Sequence, residues 1–241
     1  MDPETAFQHC STWNTGHQTS RVLFHVEQFE DRTLLLSVCQ ALAVGGQSSL
    51  VVWLDASDHD ASPQDQAQPL RESEIGPMIR SHSPGVDAIS DLGVRAGVRW
   101  MEDNGASLGS ATQGQYDWVF IASSDFSAVN PEASWADSSV VLLPTREGGE
   151  HSANTLQVFR AFSPKRTCLV VSVESAEGAL SAESYIRLRA TYESSLARTI
   201  MFIEQQERLG TGAVPAGFME TPESPQVLRS IQLAKELKDH G

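Results

Sequence analysis

The sequence predicts an α/β fold: one domain with a mostly parallel sheet covered by helices on both faces. Three observations carry that expectation. Short apolar runs without polar alternation, such as RVLFHV (21–26), YDWVFIASSD (116–125) and RTCLVVSVE (166–174), read as strands buried on both faces. Segments of helical periodicity separate them, the order expected of parallel strands joined by crossovers. No internal repeat and no second core interrupts the pattern, so residues 21–241 form one α/β domain behind a flexible N-terminal arm, residues 1–20.

The first unit sets the question. After strand 21–26 the stretch HVEQFEDRTLLLSVCQALA opens a helix over 32–44, with Leu34, Leu35, Val38, Cys39, Leu42 and Ala43 at helical spacing. Gly45 and Gly46 supply its stop, and a second strand follows at 48–55. Strand, tight turn, helix and strand is how a phosphate-binding loop is housed. This turn has no glycine, and three acids, Glu27, Glu30 and Asp31, stand around it.

Further along, residues 56–84 read as a long polar connection with one short helix near 72–81. VDAISDLGVRAGVRWMEDNG suggests a short helix, a short strand near 92–95 and one more helical turn. SSVVLLPT (138–145) is a strand, and GEHSANTLQVFRAF (149–162) a helix. Residues 176–209 have a helical pattern, with Tyr185, Leu188, Tyr192, Leu196, Ile200 and Ile203 on one face, although RTIMFIE within it also reads as a last strand. A final amphipathic helix covers 223–239.

Composition narrows the function classes. The 241 residues carry a net charge of −14, and the only lysines are Lys165, Lys235 and Lys238. Affinity for DNA comes from clustered cations that displace counterions, and the sequence holds no contiguous cluster; only a folded patch of Arg95, Arg99, Arg187 and Arg189 would supply one. The same deficit disfavours an anionic membrane surface, and no run is long enough to span a bilayer. With no signal-peptide pattern at the N-terminus, the expected location is the cytoplasm and the expected partners are proteins, a second copy of the chain included. Cys10, Cys39 and Cys168 are widely spaced and read as reduced structural thiols.

The order of motifs resembles the MinD/ParA family of P-loop ATPases, which includes the polysaccharide co-polymerase tyrosine kinases. VCQALAVGG and VVWLDASD match the end of the family's first helix and its second strand. YDWVFIASSD is similar to the strand that carries its Asp-x-Pro-Pro motif, and WADSSVVLLPTREG to the strand after it. LGTGAVPAG with SPQVLRSIQLAKEL resembles its closing strand, loop and helix, so the likeness spans most of 21–239.

The departures fall on the chemistry. In this alignment of motifs Asp31 stands where the family has its invariant lysine, Glu30 where it has the preceding glycine, and Arg32 where it has the first threonine. Thr33 survives, the loop is shorter, and the family's second, signature lysine has no counterpart. Ala122 takes the place of the carboxylate in Asp-x-Pro-Pro, followed by Ser123 and Ser124, while Asp55 alone matches an acidic switch position. A phosphate cradle needs glycine N–H groups that converge and a lysine that neutralises charge. A carboxylate 4 Å from a phosphate charge repels it by roughly 1 kcal/mol in water and about 4 at intermediate dielectric. The expectation is therefore no cofactor, no catalytic residue and no metal, with Glu30, Asp31, Arg32, Thr33, Asp55 and Ala122 as remnant positions of a nucleotide site. Asp31 or Glu30 would instead satisfy the orphan N–H groups of the helix start, worth about 0.3–1 kcal/mol.

Other constellations point less sharply. Asp55, Asp58, His59, Asp60 and Asp65 gather hard-cation ligands but lack the glycine and terminal glutamate of a calcium loop, so a solvated loop is expected. His151 reads as a neighbour of a helix start and Cys39 as a buried inert thiol. Ser123, Ser124 and Asp125 occupy a favoured ligand position at a strand end, but no histidine is placed beside them. Trp53, Trp100, Trp118 and Trp135 read as core. The function expected is a catalytically inactive adaptor or regulator, in exopolysaccharide synthesis or export or in the spatial organisation of a bacterial machine. The rivals are a nucleotide-binding ATPase or kinase-like enzyme using Thr33, Asp55 and Arg32, and an unrelated α/β enzyme centred on Ser123–Asp125.

Overall fold

Burial of unbroken apolar runs produces an eight-stranded sheet. The structure, a computed structural model, describes residues 19–54, 71–89, 98–124, 139–146, 150–175, 181–203 and 225–240. The strands are β1 (Ser20–His25), β2 (Ser49–Trp53), β3 (Arg80–Ser83), β4 (Val86–Ile89), β5 (Trp118–Ser123), β6 (Ser139–Thr145), β7 (Cys168–Ser175) and β8 (Leu196–Ile203). Their order across the sheet is β3-β4-β2-β5-β1-β6-β7-β8. All pairs are parallel except the β3–β4 hairpin at one edge.

The helices are α1 (Phe29–Val44), α2 (Glu72–Ile75), α3 (Val98–Thr112), α4 (Glu150–Phe162), α5 (Ala182–Tyr192) and α6 (Pro225–His240). Leu34, Leu35, Val38 and Leu42 of α1 share one apolar layer with Val227, Ile231 and Leu237 of α6 and with Phe24, Phe120 and Leu142 of the sheet. Ile75 of α2, Met101 and Leu108 of α3, Val158 and Phe162 of α4 and Tyr192 at the end of α5 line the other, against Leu23, Ile121 and Leu143. The fold is the expected α/β sandwich with helices on both faces.

Local chemistry explains the helix ends. Gly46 takes φ +77 after α1, its N–H reaching Ala43 O at 2.9 Å while Gln47 N–H reaches Leu42 O at 3.1 Å. This is a Schellman closure, and it bears out the stop read at Gly45–Gly46. At its other end α1 begins at Phe29, three residues before the expected start at 32.

Several expected elements are corrected. The helix near 72–81 is one turn of α2 and a 3-10 turn over Gly76–Met78, and the chain then enters β3. VDAI is strand β4 rather than helix: Pro84–Gly85, with Gly85 at φ +76, turns β3 back onto it. The helical turn expected after it is the fifteen-residue α3, formed despite Gly105 and Gly109 because Met101, Leu108 and Ala111 bury one face. The long helix over 176–209 stops at Tyr192, where Glu193 turns to φ +48, and Leu196, Ile200 and Ile203 lie on β8. The strand near 92–95 and most of the arm lie outside the described residues; within the arm, the Thr19 hydroxyl donates to Tyr116 O ahead of β5 and Ser20 begins β1.

Candidate functional site

The chain leaves β1 for β2 on one side and later returns across β1 from β5 to β6 on the other. That reversal opens a crevice outside the carboxyl ends of β5, β1 and β6, the place where open α/β sheets hold ligands. Three segments meet there: the turn Val26–Gln28 after β1, Ser123 and Ser124 at the end of β5, and Arg146 just past β6.

Asp31 fills the centre of this place. It is 0% exposed. Its Oδ2 accepts the backbone N–H groups of Glu27 and Gln28, both at 2.9 Å. Its Oδ1 accepts from Nη2 of Arg146 at 2.6 Å. Of the two acids expected at the helix start, Glu30 is exposed, whereas Asp31 reaches back from the first turn to the two N–H groups that precede the helix, not to the helix's own first N–H groups. The turn's donors thus converge on a carboxylate that belongs to the chain itself. Arg146 was missed at the level of sequence, because nothing marks a residue 115 positions away as the counter-ion.

The neighbours are also committed. His25 Nε2 lies 3.2 Å from Glu27 Oε1, both side chains buried. The Arg32 guanidinium sits 5.3 Å from the centre of the Trp53 ring, a cation–π arrangement across α1 and β2. Thr33 is half-buried. Ala122 is fully buried beneath the α1 layer, next to Phe24 and Trp53 in register, and offers the crevice no carboxylate. Ser123 is buried and Ser124 exposed. Asp55, Asp58, His59, Asp60, Asp65 and Asp125 lie outside the described residues. His151 belongs to α4, its side chain outside them. Among the described residues no three metal-ligating side chains gather. Nor is any helix among them long and apolar enough to cross a membrane.

The two thiols among the described residues are inert by burial. Cys39 and Cys168 are free and buried. Desolvation pushes the Cys39 thiol far up, against a smaller opposing contribution from Ser49, and pushes Cys168 up to about 12. Since the thiolate is the nucleophile, its fraction at pH 8 is about one in ten thousand for Cys168. Iodoacetamide at pH 8 is expected to leave both unmodified in native protein and to modify both in denaturant. Peptide mass spectrometry reads each cysteine separately, and rapid native labelling of either would contradict the burial.

No sequence-family profile and no curated protein matches the chain. Solved structures do match it. The septum site-determining protein MinD from Pyrococcus horikoshii, complexed with Mg-ADP, is similar at a TM-score of 0.60 and 16% identity over 91% of this chain and 96% of that one. A ParA family ATPase from Chlorobium tepidum gives 0.58 and 14% over 90% and 98%. MinD in the Aquifex aeolicus MinC:MinD complex gives 0.57 and 12% over 92% and 97%. The chain has the MinD/ParA-like P-loop ATPase fold.

Proposed function

We propose that this chain, folded as the MinD/ParA ATPases are, has given up nucleotide chemistry and acts as a protein-binding adaptor or regulator. The Asp31 carboxylate carries the reading. It takes the two backbone N–H groups of the turn and an arginine, the kinds of donor a phosphate would need. A bound phosphate would have to displace that carboxylate and leave it buried and unpaired, besides meeting its charge. No lysine is close in sequence to compensate, and Arg146 is already engaged.

Calorimetric titration with ATP and magnesium is the direct test. No binding is expected with a Kd below about 1 mM, roughly −4 kcal/mol. Tighter binding would favour the second reading, an ATPase or kinase-like enzyme with an atypical loop, which the Mg-ADP bound by the Pyrococcus horikoshii protein keeps in view.

Partner chemistry follows from charge. The connections after the carboxyl ends of the parallel strands begin, in sequence, with Glu27, with Asp55, Asp58, Asp60 and Asp65, with Asp125, with Glu147 and with Glu177, against few arginines. A protein partner with a basic face suits such an end. The Aquifex aeolicus MinD, solved with MinC, is a precedent for partner binding on this fold. Exopolysaccharide synthesis or export and the positioning of a bacterial machine are the settings the reading allows, and a homodimer is one form the partnership can take.

Duplex DNA should stay free in a mobility-shift titration at low salt. Arg187 and Arg189 are exposed on α5, but Arg95 and the side chain of Arg99 lie outside the described residues. Sub-micromolar binding that weakens steeply with salt would mean the arginines do assemble into a phosphate-contacting surface.

A further inference from the structure

The last helix is attached differently from the others. α6 is reached through the long connection 204–224 and packs chiefly against α1 and β8, so its removal breaks no strand pair. Its inner face is apolar, with Val227, Ile231, Leu233 and Leu237 buried.

Two features of that contact are polar. On β8 the register against β7 slips between the Leu196 and Ile200 pairings. In the bulge the Arg198 N–H donates to Glu236 Oε2 of α6 at 2.7 Å, and the Thr199 hydroxyl donates to Oε1 of the same carboxylate. Glu236 thus clamps α6 to the strand. On α1, Arg32, Cys39 and Ala43 occupy the flank toward β2 and β4, beside Trp53, Ser49 and Gly85. Helical geometry turns Ser37 and Ala41 to the opposite flank, where α6 packs, and Gln40 away from the sheet. Ser37 Oγ and Gln40 Oε1 are buried and find no partner among the described residues. Docking α6 therefore strips water from the Ser37 hydroxyl with no described partner replacing it, which weakens the apolar contact.

We propose that α6 is a strap that opens as a unit without unfolding the sheet, with Glu236 as its lock and the buried Ser37 hydroxyl as the built-in weakness. Opening bares Ala41 of α1 and Ala197 and Met201 of β8, apolar surface that is covered when the strap is closed. This inference does not depend on the fate of the nucleotide site.

Native-state hydrogen exchange followed by peptide mass spectrometry tests it. In the unaltered protein, α6 peptides should exchange faster than those of β1, β5 and β6. Glu236→Gln keeps the side chain's shape and removes its charge. It should speed exchange of α6 by roughly ten- to hundredfold and leave the central strands unchanged, the scale of a hydrogen bond to a charged group. Ser37→Ala, which removes an unsatisfied hydroxyl, should slow α6 exchange. The proposal is overturned if α6 and the central strands exchange together, if Glu236→Gln speeds all segments equally or none, or if Ser37→Ala speeds the opening of α6.

Discussion

Asp31→Ala is expected to lower unfolding free energy by about 3–5 kcal/mol, several times the effect of losing an exposed helix cap, which is about 1. The size follows from what is left behind. Arg146, only 17% exposed, would keep its charge without the carboxylate at 2.6 Å. The N–H groups of Glu27 and Gln28 would lose their acceptor as well. Asp31→Lys, which restores the residue type typical of a phosphate cradle, should do more harm still, because it sets a second cation against Arg146. Replacing both partners, Asp31→Leu with Arg146→Met, should recover most of the loss, since an apolar pair leaves no buried charge unmatched. Urea midpoints on the four proteins decide it. A loss under about 1 kcal/mol for Asp31→Ala would show that water or another group readily takes over, and the internal carboxylate would then be no obstacle to a phosphate.

The parts of this architecture that were legible in the sequence are those whose signal is local. β1, α1 and β2, and then β5, β6 and β7, announce themselves as apolar runs and a periodic helix closed by two glycines. β4 was misread because VDAI is too short for periodicity to separate strand from helix, although Pro84–Gly85 marked the turn before it. α3 was cut short on paper by Asn104, Gly105 and Gly109, whose poor propensity is overridden by packing against the sheet. In β8, Leu196 and Ile200 fit a helical stripe continuing from Tyr185 as well as they fit a strand; the turn at Glu193, a conformation no propensity scale foresees for glutamate, decides. The site divides the same way. Asp31 was legible as an oddity in a phosphate-loop setting. Arg146 was not, because only the crossover from β5 to β6 brings it beside the first turn of α1.

Gly85→Ala should be nearly as damaging, and for reasons that can be separated. Gly85 adopts φ +76, where an L-residue loses about 1–2 kcal/mol. An added Cβ would also lie 2.8 Å from Ala43 Cβ on α1, closer than packed carbons sit. Neither atom is the flexible end of a side chain, so backbone must move, and overpacking of this kind adds about 1–3 kcal/mol. Gly46 provides the control. It has φ +77 but nothing within 4 Å of an added Cβ, so Gly46→Ala should show the backbone part alone. Ala43→Gly in the Gly85→Ala background should remove the clash, against a helix-propensity penalty of about 1 kcal/mol that the single Ala43→Gly variant calibrates. A favourable coupling of about 1–3 kcal/mol between the two positions is the expected outcome of the cycle. Zero coupling, with Gly85→Ala no worse than Gly46→Ala, would mean that the β3–β4 turn stands clear of α1. In that case the edge hairpin is set by its own turn residues and not by the helix that leads from the Asp31 site.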